Sequence, residues 1–259
     1  MQQRDAPQRE AALRPPDQHP LIGKLRAYVD LGGEEIAALA NLMTHPRVFT
    51  RGREVIVQGQ PYHALGILNR GLALRYKMLP DGKRHVLNLV VPGDLIGLPA
   101  CLFENALGAV SCLTDASICT VAFADLFDMF RRHPRIGAAL LWVSAREAGI
   151  YIERLATIGR KSAYERTAHL ILELFMRLQS VGLAEASSFE MPLTQEMLAD
   201  SPGLSLQHVN RMIRNLREEG LASIEAHRVV IQDFESLARL AAFEASYLSP
   251  QRIPGLGAP

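Results

Sequence analysis

Proline and glycine divide this chain before any other property does. Between Val48 and about Phe123, short β-branched runs are cut by Gly52, Gly59, Pro61, Gly66, Gly71, Pro80, Gly82, Pro92 and Gly93. Proline is then absent from the whole interval between Pro134 and Pro192. Because proline removes a backbone donor and clashes with the preceding helical turn, long helices are confined to the second stretch. The first reads as antiparallel β structure.

Within that β region, Gly52 and Gly59 bracket Glu54-Val55-Ile56-Val57, and Gly66 to Gly71 places a short strand before a tight turn. Leu72 to Met78 and His85 to Val91 flank Leu79-Pro80-Asp81-Gly82-Lys83, in which Pro80 presets φ and Gly82 takes the left-handed position, so a β-hairpin is predicted. Ahead of it, Pro20 to Met43 reads as short helical pieces, with Ile36, Leu39 and Leu42 on one face behind Glu34 and Glu35.

Past Pro134, Ala138, Leu141, Ala145, Ala148, Ile152 and Leu155 recur at alternating intervals of three and four. Those are coiled-coil intervals, and they predict a helix that pairs with a second copy. An ordinary amphipathic helix packed on its own domain would use the same spacing, and Gly149 weakens either. Position between two domains favours the dimer seam. Ser162 with Glu165 three residues on forms a capping pair for a further helix, apolar at helical spacing from Ala168 to Leu178. Ser180 to Glu190 is a largely polar connection.

Composition limits function less than pattern does. With 259 residues, 48% of them hydrophobic, the chain buries a sizeable core, in one large or two modest domains. A formal net charge of +1 gives no chain-wide electrostatic attraction to polyanions. Cys101, Cys112 and Cys119 have neither the number nor the spacing of a disulfide framework or a Cys-x-x-Cys site, which fits a reducing cytoplasm. The N-terminal residues through Pro16 carry charges and prolines where a secretory leader needs an apolar run, and read as a disordered tail. No apolar stretch reaches a membrane span's ~18 residues, so a soluble protein is expected, with no membrane partner.

The most informative segment follows Pro192. Thr194 can cap a short helix carrying Met197, Leu198 and Ala199; Gly203 supplies a turn; Ser205 can cap a second helix whose Val209, Met212, Ile213 and Leu216 face inward. That is a helix-turn-helix pattern. It turns Leu206, Gln207, His208, Asn210, Arg211 and Arg214 wholly or partly outward, where the first turns of such a helix meet base edges. Arginine donates a bidentate pair to guanine, and Asn and Gln pair with adenine, so Arg211 is the first choice for guanine. With Ser205 at the cap and Arg217 in the last turn, these are the expected DNA contacts. From 205 to 217 there are three arginines and no acid, although residues 160–233 hold 8 basic against 10 acidic residues, a net of −2. Any basic patch is local. Leu221 to Ile224 and Arg228 to Ile231 flank Glu225-Ala226-His227 as a small hairpin, the wing of a winged domain; Arg228 fits a phosphate contact and an exposed turn residue equally well.

Taken together, Gly52 with Gly59, Val91-Pro92-Gly93-Asp94-Leu95-Ile96-Gly97, Leu193 to Asp200 and Gly203 to Arg211 resemble the CRP/FNR superfamily over roughly residues 45–233. Pro202 in the turn and Leu206, where the family often has a base-reading Arg, depart from its pattern and imply a different half-site. The resemblance implies an α+β fold: an N-terminal antiparallel β-roll (double-stranded β-helix), a long dimerisation helix and a C-terminal winged helix-turn-helix. In residues this gives a tail over 1–20, a cyclic-nucleotide-binding-like sensor domain over 21–133, the dimerisation helix over 134–159 and the DNA-binding domain over 160–247. The partners implied are double-stranded DNA, a second copy of the chain and RNA polymerase.

The resemblance places a nucleotide pocket after Gly97, with a Gly-Glu pair for ribose and an Arg-Ser or Arg-Thr pair for phosphate. Leu98 stands at the Glu position, and no Arg or Lys occurs between Leu98 and Thr120. A buried cyclic phosphate would lack its charge-assisted partner, which argues against cyclic AMP. The oxygen-sensing branch uses an N-terminal cysteine cluster, whereas residues 1–100 contain no cysteine, which argues against an iron-sulfur centre. The three cysteines are read as small core residues, with a redox role for Cys101 or Cys112 as the lesser reading. His63 and His85 lack metal-site spacing and are read as surface or hairpin residues, so no cofactor or metal is expected. No nucleophile-base pairing or phosphate loop supports an enzyme. The alternative to a DNA-binding regulator is a ligand-binding regulatory module without DNA activity.

Overall fold

The computed structural model describes residues 18–191, 193–201 and 204–249. The expected tail therefore lies outside the described residues through residue 17, as do Pro202 and Gly203 of the expected turn. The described chain forms two compact units. One holds the described residues through Arg75 together with Val90–Val143; the other holds Tyr76–Leu89 together with the described residues from Ser144 on.

The described strands through Ala122 form two four-stranded sheets, the β-roll the sequence implies, of which the hairpin over Tyr76–Leu89 is grouped with the second unit. Strands β1 (Arg47–Phe49), β8 (Ala116–Ala122), β3 (Ala64–Arg70) and β6 (Leu95–Ile96) lie in that order in one sheet. Strands β2 (Glu54–Ile56), β7 (Ala109–Cys112), β4 (Ala73–Met78) and β5 (Arg84–Val90) form the other. The pairs β1·β8, β3·β8, β3·β6 and β2·β7 are antiparallel. The expected hairpin joins β4 to β5: Leu79 N–H donates to Lys83 O at 2.8 Å and Gly82 N–H to Leu79 O at 2.9 Å, with Gly82 at φ +79°.

Strand alternation sorts side chains into two cores. Leu65 and Ile67 of β3, Leu95 of β6, and Cys119 and Val121 of β8 pack against a helical layer; Leu68, Ile96, Ala116 and Ile118 of the same strands pack with Ile56, Ala73, Val90, Val110 and Cys112 inside the roll. The helical layer comprises α1 (Pro20–Arg26), α2 (Gly33–Leu42), α4 (Phe123–Arg132) and the first turns of α5 (Pro134–Arg160). It buries Leu21, Ile22, Leu25, Leu39, Leu126, Met129, Ile136 and Ala139. Helices α3 (Leu98–Leu102) and α4 had no counterpart in the sequence reading: α3 is too short to set a period, whereas in α4 Phe123, Leu126, Phe127 and Phe130 do recur at helical spacing and that signal went unread.

The Val91-Pro92-Gly93-Asp94 turn fastens α1 to the sheet. Asp94 N–H donates to Val91 O at 3.0 Å, and the Asp94 carboxylate accepts from Val91 N–H at 2.9 Å and from Lys24 Nζ at 2.5 Å. Gly93 has φ +81°, and a Cβ there would stand 2.7 Å from the Pro20 carbonyl carbon. Strain and overlap with backbone act together, so Gly93→Ala is expected to destabilise the fold by about 2–3 kcal/mol, read by chemical denaturation. An unchanged midpoint would show that α1 yields freely at this point.

The second unit carries the rest of α5, then α6 (Ala163–Gln179), α7 (Gln195–Asp200), α8 (Leu206–Glu218) and α9 (Phe234–Ala241), with the sheet β10 (Ala222–Glu225), β11 (Arg228–Ile231), β9 (Ser188–Glu190) in that order. Helix α5 runs unbroken through Gly149 and Gly159 to Arg160. The expected capping pair of α6 is reciprocal: Glu165 N–H donates to Ser162 Oγ at 3.3 Å, and Ser162 N–H to Glu165 Oε2 at 2.6 Å. Strand β9 corrects the reading of Ser180 to Glu190 as connection only. Phe189 is buried there, 6.3 Å from the Phe175 ring, and three residues are too few for alternation to be seen in sequence.

Candidate nucleic-acid interface

Helix α7 starts where the sequence places it, with Thr194 Oγ1 accepting from Met197 N–H at 3.2 Å, and Leu198 and Ala199 buried. Leu204 N–H returns to Ala199 O at 3.0 Å, tying the entry of α8 to the last turn of α7. Ser205 caps α8: its Oγ accepts from His208 N–H at 3.3 Å and meets His208 Nδ1 at 2.9 Å. The cap leaves α8 amphipathic. Val209, Met212 and Leu216 are buried and Ile213 is half-buried, so the expected inward face is the observed one.

Every residue predicted to touch DNA stands on the opposite face. Ser205, Leu206, Gln207, His208, Asn210, Arg211, Arg214 and Arg217 are all exposed. Among the described residues neither Arg211 nor Arg214 has an ion-pair partner, whereas Arg217 Nη1 lies 4.0 Å from Glu225 Oε1 of the wing. That pair is more than half exposed at both ends and is readily exchanged for a phosphate. A polar, cation-bearing helical face with an uninterrupted apolar back is suited to lie in a groove of a polyanion.

The wing is tighter than the sequence suggests. Glu225 pairs with Arg228, so the loop consists of Ala226 and His227 at φ 47° and 65°. Two successive left-handed residues make the hairpin turn that favours Asn-Gly, and neither Ala nor His is suited to it. Replacing Ala226-His227 with Asn-Gly is expected to stabilise the domain by about 1 kcal/mol, seen as a raised Tm; a lower Tm would mean that the native side chains contribute more than the strain costs. For Arg228 the sequence left two roles open. Its guanidinium pairs with the Glu185 carboxylate and donates to Ser188 Oγ at 2.8 Å, binding β11 to the start of β9.

Elsewhere, Cys112 and Cys119 are buried core residues, and burial pushes the Cys112 thiol up to about 11, which keeps it protonated at neutral pH. Cys119 Sγ donates to Met43 O at 3.1 Å, and Cys101 Sγ to Leu98 O at 3.0 Å. Among the described residues no three His, Cys, Asp or Glu side chains converge as metal ligands, and no helix is long and apolar enough to cross a membrane. His63 is exposed. His85 is half-buried against Asp200, and that burial holds its imidazole below the usual histidine range.

The sequence reading missed Arg84 and Asp200, which form an ion pair at 2.9 Å at the end of α7, and Glu185, which holds Arg228. Nothing in the sequence marks these pairs, because the partners are distant along the chain.

Comparison with known proteins matches residues 46–133 to the cyclic nucleotide-binding domain and residues 165–240 to the Crp-like helix-turn-helix domain. The chain is 29% identical over 208 residues to the transcriptional activator protein FnrL of Cereibacter sphaeroides, covering 79% of this chain and 83% of that one. It is 26% identical over 196 residues to the nitrogen fixation regulation protein FixK of Azorhizobium caulinodans, covering 75% and 78%. Among solved structures, FixK2 from Bradyrhizobium japonicum superposes with a TM-score of 0.68 at 25% identity, covering 76% of this chain and 97% of that one.

Proposed function

Since this chain belongs to the CRP/FNR family of DNA-binding transcription regulators, we propose that it acts as a cytoplasmic homodimer in which two copies of α8 read a two-fold-related site. The observation that carries this reading is the exposed face of α8. Arg211 is assigned to guanine, Gln207 and Asn210 to adenine, and Leu206 to apolar contact with a thymine methyl. Ser205, His208, Arg214 and Arg217 lie where they can position the helix against phosphates or base edges. A dimer places the half-sites about one helical turn, ~34 Å, apart.

The dimer is assigned to α5, a helix roughly 40 Å long at the usual rise per residue. Leu141, Ile152 and Leu155 on it are 69%, 69% and 72% exposed, and Ala145 and Ala148 between them are exposed too. Large aliphatic side chains in a regular stripe facing water supply the seam a second α5 would cover. Residues 134–159 are therefore assigned to dimerisation, 21–133 to sensing a signal other than cyclic AMP, and 160–247 to DNA. RNA polymerase is the partner through which a bound dimer would act on transcription.

Selection of bound sequences from a random duplex pool by the purified protein, without added ligand, tests the reading. Enrichment of a two-fold-symmetric motif is expected. Absence of any enriched motif, alone and in cell extract, would favour a regulatory module that does not read DNA.

A further inference from the structure

We propose that Arg84, on the β4–β5 hairpin, is a positioning residue for DNA reading: it grips Asp200 at the end of α7 and so sets where the reading helix α8 begins. Arg84 Nε and Nη2 both lie 2.9 Å from Asp200 Oδ2. The pair is about three-quarters buried at each side chain, and the guanidinium sits 5.8 Å from the centre of the Tyr76 ring, which holds its plane. His85, the next residue on the strand, lies beside Asp200. Asp200 is thus approached twice from one hairpin.

Local chemistry gives Asp200 no other reason to be where it is. A carboxylate in the last turn of a helix faces the negative end of the helix dipole, so it disfavours α7 unless a cation compensates. Arg84 is that cation. This contact is tied to the start of the reading helix, because Leu204 N–H, immediately before the Ser205 cap, donates to the carbonyl of Ala199, the residue before Asp200. The hairpin is itself anchored: Arg154 Nη1 of α5 donates to Leu87 O at 2.6 Å, and Arg177 of α6 donates to Asn88 Oδ1 and to Leu89 O. The same strand β5 is therefore held to α5, α6 and α7, and a shift of the hairpin along its length is carried to the entry of α8.

This inference rests on DNA reading by α8, and its test separates the two. Binding of the full chain to its selected duplex and to a scrambled duplex is measured at two salt concentrations for Arg84→Ala, Asp200→Ala, the double variant and the charge-swapped Arg84→Asp with Asp200→Arg, with Tm recorded for each. Each alanine single is expected to weaken the selected site about tenfold, with the scrambled duplex and the salt slope unchanged, because the loss is of alignment and not of a phosphate contact. The double is expected to lose no more than either single, and the swap to recover most of the affinity. Additive losses, an equal loss on scrambled duplex, or a Tm change with the affinity for the selected site intact would overturn the proposal. Failure of the wild-type chain to select any site would instead overturn the reading of α8.

Discussion

Ile152→Glu is expected to turn a dimer into a monomer in sedimentation and to lower affinity for a full two-fold site by about 10²–10⁴-fold, because a second half-site then has to be found without a tether. Ile152 is 69% exposed within its own chain, so the change removes almost nothing from the protomer's core, and chain stability is expected to hold within about 0.5 kcal/mol. In the paired state the same position lies in an apolar stripe with Leu141, Ala145, Ala148 and Leu155, and burying an uncompensated carboxylate there costs several kcal/mol per copy. A half-site duplex separates the effects, since the variant is expected to bind it as the wild type does. A wild-type chain that is already monomeric at micromolar concentration, or a variant that stays dimeric with full affinity, would remove α5 as the seam.

That stripe was legible in sequence because its spacing is local. So were the β4–β5 hairpin, the caps at Ser162, Thr194 and Ser205, and the two faces of α8: each is set by residues within a turn or two of one another, and the side chains that satisfy the backbone are neighbours in the chain. The division of β3 and β8 between two cores was not legible. Both faces of those strands are buried, so Leu65, Ile67 and Leu68 read as one apolar run whose alternate members go to different clusters. Nor was Arg84 with Asp200, Arg228 with Glu185, or Lys24 with Asp94, since charge pairs that close over long chain separations leave no periodic trace. The wing loop was misjudged by one residue for a different reason. Ala226 and His227 both adopt φ values that local sequence preference opposes, and the pairing of β10 with β11 imposes them.

The division of labour along α8 carries the second large effect. Arg211→Ala is expected to remove a bidentate guanine contact in each half-site, about 1–3 kcal/mol apiece, so that a dimer loses roughly 30-fold or more on its selected site while its binding to scrambled duplex barely changes. Arg211 is exposed and, among the described residues, without an ion-pair partner, so no internal interaction competes for its guanidinium and none is lost when it is truncated. Arg217 differs on both counts. It lies in the last turn of the helix, away from the end proposed to enter the groove, and its guanidinium is 4.0 Å from Glu225. Arg217→Ala is expected to weaken every duplex alike and to lower the salt slope by about 1 per half-site, as for the loss of one phosphate contact. Glu225→Gln, which frees Arg217 from its carboxylate, is expected to act in the opposite sense on all duplexes. An equal loss of sequence preference from Arg211→Ala and Arg217→Ala would contradict this assignment, because two arginines on the same face would then be reading bases from both ends of a helix that only one end can insert.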